Sequence, residues 1–141
     1  MSRFEFKVIW TDDDGMFQLG MSMSSSTHMT YHEAYVYPDS LSEFATALLS
    51  FPQDLKAEAI LTCGSKDPQW YGYLRIRVFV LKPTGHSAME IESDVRGVPP
   101  ASATIHFFVP GAPADFNRLG TELLKWLERP AERLVVEWCD A

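Results

Sequence analysis

An α+β fold is what this sequence predicts: one domain, with a mainly antiparallel sheet of about seven or eight strands and two amphipathic helices packed on it. Three observations lead there. Apolar residues alternate with polar ones in several short stretches, the period of a half-buried strand. Only two stretches carry apolar residues at the three-and-four spacing of a helix. The connections are short and rich in Gly, Pro and Asp, which favours hairpins over repeated helical crossovers.

The elements follow in order. Phe4, Phe6, Val8 and Trp10 alternate with Arg3, Glu5 and Lys7, giving a half-buried first strand. Asp12-Asp13-Asp14-Gly15 supplies turn residues, and Phe17, Leu19, Met21 and Met23 alternate on the returning strand. Beyond Ser24-Ser25-Ser26, the residues Met29, Tyr31, Tyr35 and Tyr37 share one parity, with Glu33 as the exception, and predict a third strand. Pro38-Asp39-Ser40-Leu41-Ser42-Glu43 reads as a helix entrance in which Ser40 caps and Glu43 reaches back to the Ser40 N–H. Leu41, Phe44, Ala45, Leu48 and Leu49 form the apolar stripe of that helix, and Pro52 stops it.

Ala57, Ala59, Leu61 and Cys63 alternate more weakly before the Gly64-Ser65-Lys66-Asp67-Pro68 turn. A hairpin follows. Leu74, Ile76, Val78 and Val80 alternate up to Lys82-Pro83-Thr84-Gly85, and Met89 and Ile91 alternate with Glu90, Glu92 and Asp94 after it. If Ile76 and Val78 meet Met89 and Ile91, paired residue numbers sum to an odd value, which a two- or four-residue loop provides. That register sets Arg75 and Arg77 opposite Glu90, Glu92 or Asp94. Past the Arg96–Pro100 turn, Ala103, Ile105, Phe107 and Val109 predict another strand. Asp115 opens a second helix whose stripe is Phe116, Leu119, Leu123 and Leu127, widened by Leu124 and Trp126; Pro130 ends it, and Leu134, Val136 and Trp138 predict a closing strand. No internal repeat is evident.

Composition narrows the function classes. With 46% hydrophobic and 22% charged residues in 141, the chain has the balance of one globular domain. Charges at Arg3, Glu5 and Lys7 break the apolar stretch an export signal needs, and no apolar run approaches a membrane span, so a cytoplasmic protein without membrane contact is expected. A net charge of -7 and scattered basic residues argue against nucleic acid as a partner. Cys63 and Cys139 are expected as free thiols.

Candidate chemistry is sparse. His28, His32, His86 and His106 lack metal-ligand spacing, so a metal site needs convergence that the sequence does not display. Cys63 has no motif that marks a nucleophile, and its parity places it in the core. The Asp12–Gly15 run lacks the ligand spacing of a calcium loop, and no glycine-rich phosphate motif occurs. Glu90 and Glu92 invite an acid–base role, but Arg75 and Arg77 are placed to neutralise them. No catalytic residue, cofactor or metal is assigned. The surplus is aromatic: Tyr31, Tyr35 and Tyr37 share one face, and Trp70, Tyr71 and Tyr73 open the central hairpin. Core packing accounts for such residues, and any excess over the core would suit a protein-binding patch.

The order of Asp39-Ser40-Leu41-Ser42-Glu43-Phe44, then Trp70-Tyr71-Gly72-Tyr73-Leu74-Arg75-Ile76-Arg77-Val78, then Phe116-Asn117-Arg118-Leu119-Gly120-Thr121-Glu122-Leu123-Leu124 resembles the layout of small bacterial immunity proteins of polymorphic toxin systems, as it does that of uncharacterised bacterial domains. The resemblance implies a stoichiometric binder of a basic, toxin-like protein and carries over no functional residue. A non-enzymatic interaction module is therefore expected, with Trp70, Tyr71, Tyr73, Glu90 and Glu92 as its surface. Two alternatives stand beside it: a small-molecule-binding protein or enzyme with a pocket between sheet and helices, and a homo-oligomeric structural module.

Overall fold

Among the described residues, the alternating stretches become eight strands and the two apolar stripes become two helices. In chain order they are β1 (Ser2–Thr11), β2 (Phe17–Ser24), β3 (Met29–Val36), α1 (Pro38–Leu49), β4 (Glu58–Gly64), β5 (Gly72–Val80), β6 (Ser87–Val95), β7 (Ala103–Gly111), α2 (Pro113–Leu127) and β8 (Leu134–Trp138). The computed structural model describes residues 1–67, 72–97 and 99–139. Neither helix is long and apolar enough to cross a membrane.

The α+β class, the antiparallel pairing and the two helices match the sequence reading, but the single sheet does not. The strands form two four-stranded sheets, ordered β3-β2-β1-β8 (sheet 1) and β4-β5-β6-β7 (sheet 2). The helices are the physical reason. Each follows a three-stranded meander and delivers the chain to the other sheet: α1 leads from β3 to β4, and α2 leads from β7 to β8. The topology thus repeats although the sequence does not. Each half is a meander, a helix and a strand, and that last strand joins the other half's sheet beside its first strand.

The β5–β6 register is the one that parity requires. Ile76 pairs with Ile91, Val78 with Met89, Arg75 with Glu92 and Arg77 with Glu90. Leu81 N–H donates to the His86 carbonyl at 2.7 Å, so the loop proper is Lys82-Pro83-Thr84-Gly85, closed by Gly85 at φ +96°.

The inner faces of both sheets and of both helices share one core, with Phe4, Phe6, Leu19, Met21, Leu74, Ile76, Met89, Phe116 and Leu119 almost fully enclosed. Each such side chain contributes roughly 1.5–3 kcal/mol relative to exposure. The helices cross closely at Gly120, where a β-carbon would stand 2.7 Å from the Ala45 carbonyl oxygen and 2.9 Å from Leu48 Cβ. Asn117 Nδ2 spans the same junction, donating to the Leu48 carbonyl at 2.8 Å and the Phe51 carbonyl at 2.7 Å. It thereby adds a second donor to the Leu48 carbonyl, which already accepts the Phe51 N–H at 3.3 Å, and supplies one to the Phe51 carbonyl just beyond the helix.

Three local expectations change. Helix α1 starts at Pro38 and has no side-chain cap, so Ser40 lies in its first turn and the Ser40–Glu43 capping box does not form. Proline's fixed φ and missing N–H start the helix instead. In α2 the Asp115 carboxylate accepts the Ala112 N–H at 2.9 Å, which does serve the helix entrance. Trp10 leaves the buried face of β1 because the pairing with β2 shifts between Val8 and Trp10, setting Ile9 and Trp10 together against Gln18. Finally, the parity of β3 that faces the core is Thr30, His32, Ala34 and Val36, while Met29, Tyr31, Tyr35 and Tyr37 face solvent. The small side chains suit that inner face because β3 packs against strands of sheet 2 there, with His32 Nδ1 2.9 Å from the Ser93 hydroxyl of β6.

Candidate functional site

Two outward faces carry the residues that sequence reasoning singled out. On sheet 2 the register builds rows across the strands: Ile60, Arg77, Glu90 and Phe108, then Thr62, Arg75, Glu92 and His106, then Gly64, Tyr73, Asp94 and Thr104. Tyr73, Glu90 and Glu92 therefore share one face. Trp70 and Tyr71 lie outside the described residues.

Glu90 is the hub of this face. It is only 8% exposed, and its two oxygens are held by Arg77 Nε at 2.7 Å, Arg75 at 3.4 Å and His106 Nε2 at 2.8 Å. Burial alone would raise its carboxyl, but the hydrogen bonds and charges of His106 and Arg77 outweigh burial and hold it below the ordinary carboxylate value. Arg77 also reaches Glu58 at 2.8 Å and lies over the Phe79 ring at 4.1 Å. Glu92 pairs with Lys66 at 3.4 Å, Lys66 lies over the Tyr73 ring, and Arg96 holds Asp94 at 3.2 Å. Every carboxylate of the face is thus matched by a cation. An open groove of about 450 Å³ runs along the Tyr73 end, between Lys66, Glu92, Asp94, Arg96 and His106.

His106 does converge with acidic groups here. The ligand atoms of Glu90, Glu92 and His106 lie within 4.8 Å of one another, a proximity that the sequence spacing does not reveal. With Arg75, Arg77 and Lys66 already engaging the two carboxylates, the cluster reads as an ion-pair network.

Sheet 1 presents a different outward face. Tyr31, Tyr35 and Tyr37 are 52%, 48% and 48% exposed, and Trp10 is 56% exposed. Tyr35 and Trp10 flank Gln18 in one row. Tyr31 leans across Gly20: a β-carbon on Gly20 would meet the Tyr31 hydroxyl at 2.7 Å and Ile9 Cδ1 at 3.4 Å. A side chain at that position would prop the ring off the sheet. Burial and the neighbouring Glu33 carboxylate, which accepts the Tyr31 hydroxyl at 3.0 Å, raise the Tyr31 phenol above its ordinary value.

Carboxylates gather around these rings. Because Phe17 pairs with Val36, the Asp12–Gly15 turn and the Tyr37–Asp39 segment occupy the same end of sheet 1. The turn is internally built, with Asp12 Oδ1 accepting the Asp14 and Met16 N–H groups at 2.9 Å each and Gly15 at φ +86°. Among the described residues no ion pair engages Asp12, Asp13, Asp14, Glu33 or Asp39. These five carboxylates are left without ion-pair partners among the described residues.

The remaining candidates have structural roles. Cys63 is buried, and burial pushes its thiol up to about 12, the wrong direction for a nucleophile. His28 stacks on Phe107 at 5.9 Å between ring centroids, and His86 Nδ1 lies 2.9 Å from the Thr84 hydroxyl in the β5–β6 loop. No known family model matches the chain, and no curated protein matches it.

Proposed function

We propose that this chain is a non-enzymatic binding module that docks a basic protein partner through the tyrosine-bearing face of sheet 1. The supporting observation is the pairing of exposed Tyr31, Tyr35, Tyr37 and Trp10 with carboxylates that no cation neutralises. Tyr and Trp offer large, stiff contact area with a polar tip, and they dominate binding energy where they anchor an interface. Uncompensated acidic groups beside them add charge complementarity and faster encounter with a basic surface. Sheet 2 is the weaker surface, since Glu90 is enclosed and Glu92 is already paired with Lys66. Inhibition of a basic bacterial toxin, as an immunity protein performs it, is the form of this function that the layout and charge favour.

The test is purification of the tagged chain from its native host at low salt, with the mass of any complex and its dissociation by salt as readouts. The expected result is a stoichiometric, salt-sensitive complex that is lost on combining Trp10→Ala, Tyr35→Ala and Tyr37→Ala. The complex should survive Phe79→Ala with Phe108→Ala on sheet 2. Bare protein, or a complex indifferent to the sheet 1 substitutions, overturns the reading.

A further inference from the structure

Glu33 stands between Tyr31 and Tyr35 on the outward face of β3, and its position is unlike that of any other carboxylate described above. Alternate residues of a strand are about 6.6 Å apart on one face, so the carboxylate has a phenol ring on each side along the strand. Across the ladder its partner is Gly20, which supplies no side chain to cover or compete with it. Among the described residues its one hydrogen bond comes from the neutral Tyr31 hydroxyl, at 3.0 Å, and leaves further acceptor capacity on the carboxylate. A recess of about 160 Å³ opens beside it, lined by Tyr31, His32, Glu33, Gly72 and Val95, and a smaller one of about 60 Å³ involves Glu33 and Tyr35. Lys7, the β1 residue opposite Gly20, is exposed and makes no ion pair with Glu33.

We infer that Glu33, walled by the rings of Tyr31 and Tyr35, is the receptor for an arginine side chain of a basic protein partner. This rests on the binding-module reading and assigns the anchor within it. A guanidinium suits the place better than an ammonium. Its planar fork meets a carboxylate through two parallel hydrogen bonds while its face stacks on a phenol ring, whereas an ammonium offers a point charge and remains more strongly hydrated. The arrangement is also selective against neutral groups, which would leave the carboxylate desolvated without a charge partner.

The experiment is a ¹⁵N NMR titration of the whole chain with a nine-residue peptide of alternating arginine and glycine. Two counterparts carry lysine or citrulline in place of arginine. The arginine peptide is expected to shift Gly20 and residues 31–35 saturably, with weaker binding of the lysine peptide and none resolved for the citrulline peptide. Glu33→Gln should weaken arginine-peptide binding about tenfold, while Tyr31→Phe, which keeps the ring, should weaken it much less than Tyr31→Ala. Equal binding of the citrulline peptide, undiminished binding by Glu33→Gln, or shifts spread evenly over all acidic residues would overturn the assignment. If it is overturned while complex formation still depends on Trp10, Tyr35 and Tyr37, the docking face stands and only the arginine anchor falls.

Discussion

Replacing Gly120 by alanine sets two opposite effects against each other. In an exposed helix the change is favourable by about 1 kcal/mol, since alanine loses less backbone freedom on folding. At Gly120 the added methyl would sit 2.7 Å from the Ala45 carbonyl oxygen, 2.9 Å from Leu48 Cβ and 3.2 Å from the Leu49 nitrogen. Two of those atoms are backbone, so relief requires α1 and α2 to move apart. Overpacking of this kind costs roughly 1–3 kcal/mol, and contacts with backbone atoms that cannot rotate away place it in the upper half of that range, about 2–3 kcal/mol, leaving a net destabilisation of about 1–2 kcal/mol after the helix-propensity gain. For a chain of this size that corresponds to a melting temperature lower by roughly 3–10 °C. Thermal unfolding followed by circular dichroism, with urea denaturation as a second measure, reads the effect directly. A melting temperature equal to or above that of the parent would refute the close helix crossing.

Four other outcomes follow from the same geometry. Asn117→Ala should cost roughly 1–3 kcal/mol in urea denaturation, because it removes the donor that serves the Leu48 and Phe51 carbonyls; Asn117→Asp should cost at least as much. Trp10→Ala, Tyr35→Ala and Tyr37→Ala should each alter stability by no more than about 0.5 kcal/mol, since these side chains face solvent; larger losses by the same assay would make the face structural. Burial holds His32 below its ordinary value against the pull of Asp94 and Glu33, so the folded state favours the neutral ring. That contribution to stability is complete above pH 6.5 and is lost as pH falls toward the folded value, so the urea midpoint should decline below pH 6.5 and His32→Asn should flatten the decline. A thiol reagent at pH 8 should label the exposed Cys139 rapidly and leave Cys63 unmodified until the protein unfolds.

What the sequence made legible was local. Parity placed Arg75 and Arg77 against Glu92 and Glu90 because a short loop and two alternating strands leave few registers open. The same arithmetic extended to β7 would have found His106, since matching Ile91 to Phe107 and Met89 to Val109 sets Glu92 against His106. The split into two sheets was not legible, because the partners of β4 and β8 are fixed by where the helices deliver them. Nor was the outward turn of the tyrosines. Parity says which residues share a face of a strand, and only packing says which face is inside; on β3 the close approach of sheet 2 favoured Ala34 and His32 over Tyr35 and Tyr31. Trp10 was misplaced for a related reason, since one extra residue in a ladder inverts every side chain beyond it.

The exchange of last strands has a consequence for the order in which the protein can be made. Of the strands described, β1 emerges earliest during synthesis, yet its second neighbour, β8, emerges after all the others. Until β8 arrives, the side of β1 that will hold Ser2 against Trp138 and Phe6 against Leu134 is an unpaired edge with an apolar face behind it. Sheet 2 is under no such delay, because β4 to β7 pair with their neighbours as they appear. The sheet proposed to meet a partner is therefore the sheet that closes last, since its β1–β8 pairing joins strands far apart in the chain and carries the larger loop-closure cost.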